Sequence, residues 1–248
     1  MNHVAQLGGT VLIGILTGTA DVLAGVGGLL SVPFMIFIGL PPHMAIATDR
    51  LGTLGGRVAS LITFTRSQSI VWSLVPWLCI LSIGGSFVGA NLLLSIDEQI
   101  INRVIGILLI ALLPIILMKN LGVTRKTVTP KWRYGGMCAY FFVMIYRAIF
   151  GMGTGPLTFT VMMGCFGTTL IESIATSQIP TLIGGTISVI IFALNGIVNL
   201  QFGLALVSGM ILGSYVASRF AVINGNTWVK RLFVVFVTLA AFRLLTQS

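Results

Sequence analysis

With 248 residues, 56% of them hydrophobic and 8% charged, and a mean hydropathy of +1.05, the chain lies far outside the soluble range, where about a quarter of residues are charged. It is predicted to be an all-α polytopic membrane protein, and spans of roughly 20 residues each leave no room for a separate soluble domain. The formal net charge of +9 does not indicate nucleic acid, because the basic residues collect where membrane loops are expected.

In chain order, long apolar segments are predicted at about 4–24, 44–65, 70–94, 99–118, 133–150, 170–195, 199–220 and 228–246. Two short ones, at about 29–39 and 155–166, follow glycine clusters. At 1.5 Å per residue each short piece reaches about half of a roughly 30 Å hydrocarbon core, so it reads as a half-helix. Lys119, Arg125, Lys126, Lys131 and Arg133 mark a basic linker, and Arg219, Lys230 and Arg231 flank another loop. Trp72, Trp132 and Trp228 stand beside basic loops, as interfacial aromatics do.

The chain repeats itself about half its length apart. Ala45-Ile46-Ala47-Thr48 returns as Ser173-Ile174-Ala175-Thr176, and Gly25-Val26-Gly27-Gly28 returns as Gly151-Met152-Gly153-Thr154-Gly155. Gly55-Gly56 matches Gly184-Gly185, Gly85-Ser86-Phe87-Val88 matches Gly213-Ser214-Tyr215-Val216, and Arg103 matches Arg231, all in unbroken order. The loop at Asp97-Glu98 is acidic while its counterpart near Gly225 is flanked by positive charge, so the two are expected on opposite sides of the membrane. The predicted fold is therefore two inverted repeats, each a broken or re-entrant helix pair plus three transmembrane helices. The first repeat covers 1–120, a cytoplasmic basic linker 121–132, and the second repeat 133–248. Both chain ends are expected outside, and with no Lys or Arg before Arg50 no basic leader is expected.

Glycine-interrupted segments at matching places in two halves point to a transporter's binding site. Gly25, Gly27, Gly28, Gly151, Gly153 and Gly155 are accordingly assigned to substrate binding, because a half-helix N-terminus favours an anion. Gly84, Gly89, Gly135 and Gly136 are read as close-packing residues. Arg50, Thr53 and Arg57 share one helical face, and the two arginines can supply the counter-charge of an anion. The repeat counterparts of Asp49, Arg50 and Arg57 are Ser177, Gln178 and Thr186 or a near neighbour, neutral but polar. Together with Thr48 and Thr176, which have the alternative of capping backbone, Ser177 and Gln178 complete the candidate site. Asp21 and Arg147 occupy equivalent repeat positions and are expected either to pair or to serve function. Asp21 and Asp49 are the carboxylates expected to be buried, hence the candidates for proton coupling. Thr169 and Glu172 fit a capping box, as do Ser95 and Glu98, and His43 is placed at an outer surface loop.

Two histidines and five acidic residues give no metal cluster or catalytic triad, and no Walker-type loop is present. Cys79, Cys138 and Cys165 are read as packing residues. No enzymatic activity, cofactor or metal is expected. The partners expected are a small anion and the lipid bilayer, with monomer and homodimer both open.

Gly25-Val-Gly-Gly-Leu-Leu-Ser-Val-Pro33, Gly39-Leu-Pro-Pro-His-Met-Ala-Ile-Ala-Thr48 and Gly85-Ser-Phe-Val-Gly89 resemble the sulfite exporter TauE/SafE family. The similarity covers nearly the whole chain, which departs from the pattern at Asp49-Arg50 and at Thr154. It implies export of sulfite or an organosulfonate across a prokaryotic plasma membrane, and the missing Walker-type loop makes that transport secondary. An anion channel and a non-transporting membrane subunit for sulfur delivery are the alternatives.

Overall fold

The computed structural model describes residues 3–96, 128–151 and 153–245. Among them the chain forms eight helices and no strand: α1 His3–Ala24, α2 Gly28–Phe37, α3 Pro42–Arg66, α4 Val75–Ser95, α5 Pro130–Phe150, α6 Thr154–Cys165, α7 Leu170–Leu194 and α8 Leu200–Leu245. The expected span at 99–118, the acidic loop at Asp97-Glu98 with its capping box, and most of the linker lie outside the described residues. Every other predicted segment is present as a helix. The chain is a multi-pass membrane protein, and among the described residues four stretches are long and apolar enough to cross: Ala5–Ala24, Val75–Ser95, Leu170–Leu194 and Leu200–Val229. α3 has 25 residues, about 37 Å, but its buried charges lower its hydropathy below theirs.

Local chemistry sets the helix ends. Prolines open α3, α4 and α5, where a missing N–H costs nothing. The Thr169 hydroxyl accepts the Glu172 N–H at 3.3 Å while the Glu172 carboxylate accepts the Thr169 N–H at 2.9 Å, forming the expected capping box of α7. Asn226 adds a second cap there by accepting the Ile171 N–H at 2.8 Å. α8 is interrupted at Gly225, whose φ of 75° and ψ of 179° are not helical.

Small residues let the helices approach at backbone distance. Gly14 and Gly18 of α1 face the backbone of α8 from Leu206 to Ser214, and Gly85 and Gly89 of α4 face α5 from Phe141 to Ala148. Gly52 and Gly56 of α3 face Leu206, Met210 and Ser214 of α8, and Gly184 of α7 faces Ser82 and Ser86 of α4. Gly136 packs on Cys165, whereas Gly135, expected to pack, faces open space, and Cys138 is exposed.

These contacts also fix direction. In each glycine-mediated pair the residue numbers rise together, so α1, α3 and the first part of α8 run one way. α4, α5 and α7 likewise run parallel to one another. α3 and α7 are opposed: Thr48 lies by Asn199, beyond the C-terminal end of α7, while Val71, beyond the end of α3, lies by Thr176 near the start of α7. His43, half-buried in the first turn of α3, contacts the Ile96 carbonyl at 3.1 Å and so joins the start of α3 to the end of α4. The molecule thus has a His43 end and an Arg66 end.

Candidate functional site

The two glycine-rich breaks meet inside this bundle. α1 ends at Gly25, with φ of 64°, whose N–H bonds back to the Asp21 carbonyl at 2.8 Å. α5 ends at Gly151, with φ of 71°, and Gly153, with φ of 63°, opens α6. Left-handed backbone at these three positions favours a residue without Cβ. The breaks cross so closely that the Gly155 N–H donates to the Gly25 carbonyl at 3.1 Å, and a Cβ on either glycine would collide with the backbone of the other. Gly27 caps α2 against Asp21 and the Thr17 carbonyl, and Gly28 begins that helix.

α2 and α6 therefore each start one residue before the expected position, and they have 10 and 12 residues. At about 15 and 18 Å, both are the half-length elements predicted. Their backbone donors, however, are not all turned toward a ligand. The Gly155 N–H is taken by the other half of the chain, and the Leu29 and Leu30 N–H groups return to the Val26 and Gly27 carbonyls at 3.0 and 2.8 Å.

Side chains supply the unspent donors. Asp21, Asp49, Arg50, Arg57 and Arg147 are all buried, at 2–9% exposure. The Asp21 carboxylate meets the Arg57 guanidinium at 2.6 Å, so the expected Asp21–Arg147 pair is replaced by one to α3. Arg57 Nη1 also donates to Gln178 Oε1 at 3.0 Å, and the same oxygen receives the Ser60 hydroxyl at 3.1 Å. Gln178 is held in turn by its Nε2, which donates to the Ile174 carbonyl at 3.0 Å. This chain of bonds joins α1, α3 and α7.

Arg147 instead stays on its own half, with Nη1 donating to the Thr154 hydroxyl at 3.3 Å. Its backbone carbonyl accepts from Arg50 Nη2, and the Arg50 guanidinium lies directly against Gly151. Asp49 accepts the Ser31 hydroxyl of α2. Arg147 interacts electrostatically with Arg57, Arg50 and Asp21, so the charges form one group. Three guanidinium groups against two carboxylates leave one positive charge in excess. Within that group the Nε atoms of Arg50 and Arg57 are buried with no hydrogen-bond partner. An ionised donor left unpaired away from water is costly, so this is where an acceptor is wanted.

The threonines of the repeated motif do something different. Thr48 Oγ1 accepts the Asn199 N–H at 3.1 Å, and Thr176 Oγ1 accepts the Val71 N–H at 2.9 Å. Both threonines and both donors are 128 residues apart. Thr53 bonds the Asp49 and Arg50 carbonyls, and Thr181, again 128 residues on, bonds those of Ser177 and Gln178. Ser177 itself bonds the Ile174 carbonyl at 2.9 Å. These hydroxyls brace backbone, while Arg50, Arg57, Arg147 and Gln178 form the polar centre.

Several members of this centre were not anticipated from sequence. Ser60 follows Arg57 by three residues and Tyr140 precedes Arg147 by seven, so helical spacing places each on its arginine's face. Tyr140 is buried with its hydroxyl unpartnered, as is the Thr17 hydroxyl. Ser31 and Thr154 sit on the half-helices; for Ser31 a lone hydroxyl in an apolar run is the signal, and for Thr154 its place in the glycine cluster.

The family model described as sulfite exporter TauE/SafE matches residues 10–244. A probable membrane transporter protein of Haemophilus influenzae is 25% identical over 90% of this chain and 88% of its own length. The probable membrane transporter protein YfcA of Escherichia coli K12 is 26% identical over 98% and 90%, and YjnA of Bacillus subtilis, with the same description, is 24% identical over 85% and 90%. No solved structure matches. The chain belongs to the sulfite exporter TauE/SafE family.

Proposed function

We propose that this TauE/SafE family member is a secondary transporter that moves a small sulfur-containing anion, sulfite or an organosulfonate, across a prokaryotic plasma membrane. The observation that carries the reading is the buried excess of guanidinium over carboxylate beside two crossed helix breaks, with Arg50 and Arg57 each holding an unbonded Nε–H. A sulfite or sulfonate headgroup offers several acceptor oxygens on one charged centre, which suits planar guanidinium donors. Gly25, Gly27, Gly28, Gly151, Gly153 and Gly155 would let it approach backbone, with Ser177, Gln178, Thr48 and Thr176 supporting the walls.

The opposed runs of α1, α3 and early α8 against α5, α7 and α4 support reading the halves as inverted repeats. On that reading the basic linker and the Arg66 end are cytoplasmic and the His43 end is external. Two halves of similar fold have two nearly equivalent states, reached by exchanging conformations, which is the basis of alternating access. The Gly155 to Gly25 hydrogen bond, which ties the two halves together, would have to open and re-form in that exchange.

The test is flux in proteoliposomes of the full chain with sulfite, an alkanesulfonate, sulfate and chloride as separate substrates. Sulfite or the sulfonate should move fastest, and Arg50→Gln should lower that flux by about 10- to 100-fold, the worth of a charge-assisted hydrogen bond. Unchanged flux in Arg50→Gln, or currents at channel-like rates, would overturn the reading.

A further inference from the structure

A cavity of about 260 Å³ opens at the Arg66 end, between α3 and α8. It arises from a change in helix spacing. Gly52, Gly55 and Gly56 hold α3 tightly on α8 as far as Ser214. Beyond them the facing residues are Ile62, Thr63 and Arg66 on one side and Tyr215, Arg219 and Ile223 on the other, and the helices part to make room. The cavity is separate from the buried centre and does not depend on the transport reading.

Its lining combines charge with apolar surface. Arg66, the last residue of α3, and Arg219, inside α8 shortly before the Gly225 break, are both exposed, and neither has a carboxylate partner among the described residues. Arg219 is positioned by the ring of Tyr215, with its guanidinium carbon 5.5 Å from the centroid. The rest of the rim is apolar and outward-facing, with Ile62 on the side of the bundle's middle 51% exposed and Ile223, beyond Arg219, 78% exposed. Two guanidinium groups without carboxylate partners, set beside apolar, outward-facing side chains of a membrane protein, match a ligand with an anionic head and an acyl tail.

The repeat provides an internal control. The positions 128 residues away from Arg66 and Arg219 are Leu194 and Asn91, at the His43 end between α7 and α4. The equivalent groove therefore lacks both charges, so duplication of the fold did not require them.

We propose that the cavity between α3 and α8 is a binding site for the phosphate headgroup of an anionic phospholipid, with Arg66 and Arg219 as the phosphate ligands. Basic pockets between transmembrane helices bind such headgroups, and each arginine contributes about fivefold in affinity, the pair about 25-fold. The experiment is native mass spectrometry of the purified, delipidated full chain titrated with phosphatidylglycerol or phosphatidylcholine, with inorganic phosphate as a third arm read by thermal shift. Phosphatidylglycerol should bind in preference, and Arg66→Gln/Arg219→Gln should remove about 25-fold of that affinity. Arg133→Gln, an exposed charge on the first turn of α5, should leave it unchanged. Should the double variant not fold, Arg66→Gln and Arg219→Gln singly, at about fivefold each, carry the same test. Equal binding of the two lipids, an unaltered double variant, an equal loss in Arg133→Gln, or stabilisation by inorganic phosphate matching that by phosphatidylglycerol would each overturn the proposal.

Discussion

α3 and α7 are the same element written twice, with one difference. Both carry a threonine that accepts a loop N–H, Thr48 and Thr176, and a second that bonds its own helix, Thr53 and Thr181. Both carry a glycine packed against a serine of the neighbouring helix, Gly56 against Ser214 and Gly184 against Ser86. Yet where α3 has Asp49, Arg50 and Arg57, α7 has Ser177, Gln178 and Gly185. The shared residues are those that helix packing and loop closure need at both places. The charges are needed once, because each buried charge costs at least about 2.5–3.5 kcal/mol in a membrane and must find a partner. On the proposed reading a single site shared by the two halves requires only one set, and Gln178 joins the charged group from the α7 side by receiving Arg57.

The strongest way to break this comparison is to make α3 as neutral as α7. Arg57→Gln removes the partner of buried Asp21 and should destabilise the protein by about 3–5 kcal/mol, measured by thermal unfolding of the purified chain. Asp21→Asn/Arg57→Gln removes both charges and should recover a substantial part of that loss, as coupled neighbours do. Flux should remain low in the double variant. If stability and flux return together, the pair serves only the fold and the difference between α3 and α7 has no bearing on substrate.

A second test asks whether the crossing belongs equally to both halves. Gly25→Ala combines a left-handed φ of 64° with a collision against Gly155, for a cost of roughly 2–5 kcal/mol. Gly155→Ala meets Gly25 in the same way but without the positive φ, so it should cost less by about 1–2 kcal/mol. Gly164→Ala, with open space around it in the same half-helix, is the control and should leave the melting temperature near that of the parent chain.

The fold was legible because its signals are periodic and repeated. Span lengths, the two half-helices and the α7 capping box all follow from local patterns, and the structure carries them within a few residues. That the charged residues and the two glycine breaks would come together was legible, and their pairing less so. Asp21 was matched to Arg147 by repeat position, but partners in a packed bundle are chosen by which helix faces which, and α1 presents Asp21 to Arg57 of α3. The same holds for the half-helix N-termini. Sequence shows that backbone donors must be freed at a glycine break, but not that Gly155 would spend its N–H on Gly25. The bonds of hydroxyl partners such as Ser31 and Ser60 were not legible for a related reason: serine in an apolar helix usually bonds its own backbone, and its other contacts depend on tertiary packing.

The smallest expected effect is the sharpest test of equivalence, because it compares two matched bonds at opposite ends of the molecule. Thr48→Val leaves the Asn199 N–H without its acceptor, and Thr176→Val does the same to the Val71 N–H. Losing one acceptor for a partly buried donor costs about 1–3 kcal/mol, and the lower part of that range is expected because water can reach a loop. Both bonds are partly buried and of similar length, 3.1 and 2.9 Å, so the two variants should lose the same stability to within about 0.5 kcal/mol. Thr53→Val and Thr181→Val should each lose less, since their hydroxyls only add a second bond to carbonyls of their own helix. A large cost at Thr48 with none at Thr176 would mean that the two ends are braced differently. The kinship of α3 and α7 would then be one of sequence, and the difference in their charges would need an explanation from structure instead of from a shared site.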